Sequence, residues 1–109
     1  MLSEEMIQEL VDGLCSIFSG NVHQIILYGS VARREETKES DIDIAIIINN
    51  SKISDMMERF IAWNSELDMK YDRVFSIVDI EKDKMDKWGK VLPFYKKIQE
   101  EGVVLWTAA

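Results

Sequence analysis

The sequence holds one cysteine, one proline and one histidine in 109 residues. A lone Cys15 excludes an intrachain disulfide framework and a cysteine-built zinc site, and it fits a reducing compartment. Basic residues are also scarce, 13 Lys+Arg against 20 Asp+Glu, for a formal net charge of −7. That balance argues against a broad basic face gripping nucleic acid. Long apolar runs are missing too. The longest, Ile44 to Ile48, falls far short of the roughly 20 residues of a membrane helix. The opening Met1-Leu2-Ser3-Glu4-Glu5 carries acids where a signal peptide carries bases. A cytoplasmic protein without membrane association is expected.

What is present is an ordinary globular composition, 47% hydrophobic and 30% charged. The length suits one domain spanning residues 1–109, large enough to bury a core without covalent staples. Ser3 is placed to cap a first helix whose apolar residues, Met6, Ile7, Leu10, Val11, Leu14, Ile17 and Phe18, recur at helical spacing. Ser19-Gly20-Asn21 should end it, with Gly20 in a left-handed cap. A strand is expected over 24–28, stopping at Gly29-Ser30, then one or two helical turns between Val31 and Glu36. A buried strand follows over Asp41 to Ile48, a helix over about 51–69, and a third strand over about 72–80. Lys82 to Glu101 reads as helix broken at Pro93, and 103–106 as a short last strand. The fold class is α/β (α+β): a small mixed β-sheet packed against helices.

The chemistry gathers in two short stretches. In Ser40-Asp41-Ile42-Asp43-Ile44-Ala45, alternate side chains share a strand face, so Asp41 and Asp43 point one way while Ile42, Ile44, Ile46 and Ile48 point the other. Two carboxylates one pleat repeat apart repel each other unless a cation or proton lies between them. Mg²⁺ is an obvious candidate, since it takes carboxylate oxygens and shares its shell with phosphates. The plainer reading is a loop acid followed by a locally hydrogen-bonded one. The second stretch is Leu27-Tyr28-Gly29-Ser30-Val31-Ala32-Arg33. Gly29 allows a ligand close to the backbone, Ser30 can donate to a phosphate oxygen, and free N–H groups at a helix start favour an anion. Its plainer reading is a strand-to-helix turn with Ser30 as N-cap.

Gly29-Ser30, ten residues, then Asp41-Ile42-Asp43, with Ala32-Arg33 close behind the turn, resembles the signature of the DNA polymerase β nucleotidyltransferase superfamily. The size is similar to its minimal nucleotidyltransferase group, which includes antitoxins paired with HEPN-domain toxins. The resemblance implies a polymerase β-like fold in which Gly29 and Ser30 bind phosphate, with Arg33 beside them. It makes Asp41 and Asp43 catalytic metal ligands. A third carboxylate on a later strand is implied as well. Among Asp68, Asp72 and Asp79, Asp72 is favoured, because it stands where the third strand is expected to begin. Pairing of Asp72 with Arg73 would leave the site incomplete. The implied reaction uses two Mg²⁺ ions and transfers a nucleoside monophosphate, commonly AMP from ATP, to a protein or small-molecule hydroxyl. The implied partners are the nucleotide and a protein such as a HEPN-domain toxin, or a second copy of the chain supplying the acceptor surface. A catalytically weak antitoxin or nucleotide-binding module is the alternative. Arg34 and Lys38 are further candidates for contact with a triphosphate. His23 reads as a surface residue, and Met56, Met57, Phe60, Trp63, Trp88, Phe94, Tyr95 and Trp106 read by default as core.

Overall fold

The structure, a computed structural model, describes residues 2–35, 37, 40–49 and 56–109. Its first helix, α1 (Glu4–Ile17), starts where Ser3 Oγ accepts a hydrogen bond from the Met6 amide at 3.1 Å, with Glu4 and Glu5 in the first turn. Both features satisfy or complement the exposed amides of a helix start. Gly20, at φ +73°, turns the chain into β1 (Val22–Tyr28). One helical turn, α2 (Gly29–Ala32), follows directly, and β2 (Ile42–Ile48) comes after it. Then come α3 (Met57–Tyr71), β3 (Phe75–Glu81), α4 (Lys82–Trp88), α5 (Pro93–Glu101) and β4 (Val103–Thr107). Pro93 opens α5, where its missing amide hydrogen costs nothing.

The four strands form one mixed sheet in the order β3-β2-β1-β4. β1 is antiparallel to both β2 and β4, and β2 is parallel to β3. β2 is therefore an interior strand, which explains its near-continuous run of isoleucines. Its two faces feed two clusters. Ile42, Ile44, Ile46 and Ile48 join Ile25 and Leu27 of β1 and pack with Leu10 and Leu14 of α1 and Leu67 of α3. Ala45 and Ile47 join Ile26 and Ile80 and pack with Met85 of α4 and Ile98 of α5. Helices thus cover both faces. No helix among the described residues is long and apolar enough to cross a membrane.

Several element boundaries move from their expected places: β1 begins two residues early at Val22, and the helical turn expected between Val31 and Glu36 is α2, Gly29–Ala32. β2 begins at Ile42 rather than Asp41, which lies exposed just before it. β3 begins at Phe75 rather than Asp72, because α3 runs on to Tyr71 and Asp72 caps it in the left-handed conformation (φ 51°, ψ 44°). Aspartate tolerates that conformation better than most residues. The start expected for α3 at residue 51 lies outside the described residues. The aromatic side chains divide. Phe60, Trp63 and Trp106 pack on the α1–α3 side and Tyr95 on the α4–α5 side, whereas Trp88 and Phe94 are exposed, against the default of core.

Candidate active site

The end of β1 and the start of β2 meet side by side. In the antiparallel register Tyr28, the last residue of β1, is paired with Asp43. The next residue, Gly29, is buried with φ +76°, and a Cβ built on it would collide with Asp43 Oδ2. This is the one place where the site demands glycine on two counts. The backbone is left-handed, and the room for a side chain is already taken by a carboxylate. Ser30 is the second residue of α2 and not its N-cap; Tyr28 holds that position, without a side-chain hydrogen bond. The short helix is closed by the Arg33 amide donating to the Gly29 carbonyl at 3.1 Å.

The electrostatics single out Asp43. Burial pushes its carboxyl above the ordinary carboxylate range, the Asp41 charge pushes it further, and Arg33 and Lys97 oppose both. The Tyr28 phenol is also raised, first by burial and then by Asp43. A half-buried carboxylate beside a second one is a site where a cation lowers the energy. Arg33 lies close enough to be felt there, and its guanidinium also engages Glu35 (3.2 Å) and Glu101 (3.4 Å). α5 brings Lys97 and Glu101 to this end of the sheet. Neither was evident from the sequence, because only the packing of α5 against β1 and α2 puts it there.

The three acids considered for the third carboxylate go elsewhere. Asp72 is the exposed cap of α3 and is not brought together with Asp41 and Asp43; among the described residues no three His, Cys, Asp or Glu side chains are grouped to hold a metal. Asp68 Oδ1 accepts from the Phe75 amide at 2.9 Å and from Asn64 Nδ2 at 3.2 Å, which ties the end of α3 to the start of β3. Asp79 is paired with Ile46, on the sheet face opposite Asp43. Arg73 donates Nη2 to the Ser40 carbonyl at 3.0 Å, bracing the approach to Asp41. Arg34 is exposed with φ 59°, and Lys38 lies outside the described residues. A groove of about 330 Å³ between α1 and α3, lined by Gly13, Arg59, Trp63 and Glu66 among others, lies on the far side of the sheet from Asp43.

Comparison with known proteins places this geometry. The family model "Polymerase beta, Nucleotidyltransferase" matches residues 14–108. The Putative protein adenylyltransferase MJ0604 of Methanocaldococcus jannaschii is 34% identical over 111 residues, covering 97% of this chain and all of that protein. Its counterpart MJ0141 from the same organism is 28% identical over 78 residues, 72% of this chain and 79% of that one. Among solved structures, a toxin–antitoxin complex with AMP-PNP superposes with a TM-score of 0.64 at 17% identity, over 94% of this chain and 73% of that one. A structure described as a putative nucleotidyltransferase from Sulfolobus solfataricus gives 0.53 at 16% identity, over 94% and 81%. Both structures share the fold. With the Gly29-Ser30 turn seated against Asp43 on such a sheet, the chain belongs to the polymerase β nucleotidyltransferase family.

Proposed function

We propose that this nucleotidyltransferase transfers a nucleoside monophosphate, AMP from ATP, to a hydroxyl of a protein or small molecule, with Mg²⁺ as the metal. The observation that carries the reading is the contact between Gly29 and the Asp43 carboxylate. It puts a turn able to admit phosphate directly against an acid whose charge is disfavoured by burial and by Asp41. Asp41 and Asp43 fit one divalent ion, hard oxygen donors for a hard cation. Bound there with the nucleotide, it would offset the triphosphate's charge and make the α-phosphorus more electrophilic. Gly29 lets the Asp43 carboxylate sit against the turn, and the Ser30 hydroxyl donates to an oxygen of the phosphate. Arg33 and Lys97 add positive charge at the same end of the sheet. In-line transfer then needs an acceptor oxygen opposite the pyrophosphate, a matter of positioning more than of covalent chemistry.

The acceptor is proposed to be a partner protein. Relatives named as protein adenylyltransferases and toxin–antitoxin complexes among the structural neighbours support this, and a HEPN-domain toxin is the partner that the sequence resemblance implies. A catalytically weak antitoxin that works by binding is the second reading. It is favoured by one observation, that among the described residues no third acid joins Asp41 and Asp43. The test is ATP labelled on the α-phosphate, with Mg²⁺ and the product of the neighbouring gene. Label should pass to the acceptor with the native chain and fall by at least about 100-fold with Asp41→Asn/Asp43→Asn, as expected when several kcal/mol of charge stabilisation is removed. Transfer indifferent to both aspartates would rule the proposal out.

A further inference from the structure

Across the sheet face that carries the site, one row of three side chains lies level: Tyr28 on β1, Asp43 on β2 and Ser76 on β3. Tyr28 pairs with Asp43 in the antiparallel register and Ser76 pairs with it in the parallel one. In-register residues on neighbouring strands share a face about 4.7–4.9 Å apart. Among the described strand residues, a further carboxylate able to share an ion with Asp43 would therefore come from one of its two lateral neighbours. One is a phenol, and the other is a half-buried serine. The rest of β3 does not substitute for it. Val78 and Ile80 continue the Ser76 face as apolar residues. Asp79 and Glu81, paired with Ile46 and Ile48, belong to the other face.

We infer that Ser76 occupies the position of a third metal-ligating acid, so that the site takes a single divalent ion, the one that arrives with the nucleotide, and not two. The inference rests on the nucleotidyltransferase reading and sharpens it. Two carboxylates supply two negative charges, which one divalent ion balances. A neutral hydroxyl is a weak donor for a second hard cation and leaves its charge unmet. The same register makes the missing ligand easy to restore, because an aspartate at 76 would stand beside Asp43 on the same face.

The experiment counts Mn²⁺ by electron paramagnetic resonance in the complex with a non-hydrolysable α,β-methylene ATP analogue, with equilibrium dialysis of the labelled analogue in parallel. The native chain should hold one Mn²⁺ per bound nucleotide, and Ser76→Ala should leave both the count and the nucleotide affinity unchanged. Ser76→Asp should hold two, with the broadened spectrum of a spin-coupled pair, since paired catalytic metals sit about 3.5–4 Å apart. Two coupled ions in the native chain, or a folded Ser76→Asp protein that still holds one, would overturn the inference. Native and Ser76→Ala counts decide the matter even if the aspartate variant does not fold. No dialysis binding, or binding unaffected by Asp41→Asn/Asp43→Asn, would instead overturn the underlying reading of the site.

Discussion

Gly20 and Gly29 have nearly the same left-handed backbone, φ +73° and +76°, but different surroundings: open space around Gly20, the Asp43 carboxylate against Gly29. Alanine at either position pays the left-handed strain, roughly 1–2 kcal/mol. Gly20→Ala should show that loss alone in urea unfolding and bind nucleotide normally. Gly29→Ala should lose more stability and nucleotide affinity together, because the new methyl displaces Asp43. Equal behaviour of the two variants would mean that the Gly29–Asp43 contact has no functional weight. At this scale the sequence was partly legible. The turn and the Asp-x-Asp pair stand out because two polar features interrupt otherwise apolar strands. Asp72 misleads because its place depends on where α3 stops. The left-handed stop takes up the residues that a longer β3 would have used. Ser76 offers no signal of its own, since its meaning comes from the residue opposite it on another strand.

Helix α1 has a glycine at position 13, where helix propensity alone favours alanine by about 1 kcal/mol. Packing says otherwise. A Cβ there would run into the ring of Trp63 on α3. Overpacking typically costs about 1–3 kcal/mol, so Gly13→Ala should lower the urea midpoint despite the better helix former. A rise would show that α3 can shift aside. The same pair of helices carries a pH-dependent link. Glu9 on α1 accepts from Lys70 Nζ at 2.6 Å and from Tyr71 Oη at 3.0 Å. The Lys70 hydrogen bond holds its carboxyl below the ordinary value of 4.5, with burial opposing and Tyr71 assisting. A depressed carboxyl stabilises the fold above its unfolded value, and that stabilisation fades as pH falls through the folded value. Glu9→Gln should therefore be less stable than the native chain at about pH 7. The gap, read from urea midpoints, should close on acidification and shrink in high salt. The helices and strands were mostly legible from periodicity, because each strongly patterned segment faces one of the two clusters. Their ends were less so, being set by caps such as the Asp68 carboxylate on the Phe75 amide.

At the scale of the molecule, β2 serves both cores at once. One side of it feeds the α1–α3 cluster and the other the α4–α5 cluster. Ile44 is fully buried, so Ile44→Ala should cost about 2–5 kcal/mol. Because the same strand carries Asp43, nucleotide binding should weaken in that variant as well, although Ile44 faces away from the site. Unchanged binding in a destabilised Ile44→Ala protein would show that the site is held by β1 and α2 alone. The strand order also bears on how the chain is made. β1 emerges from the ribosome early and can pair with β2 soon after, but its other edge waits for β4, translated at the far end of the described chain. Until then an apolar interior strand carrying Ile25, Ile26 and Leu27 has unpaired backbone groups along one side. The window of greatest risk for misassociation thus comes during synthesis, after the site's own strands have formed and before the sheet is closed over.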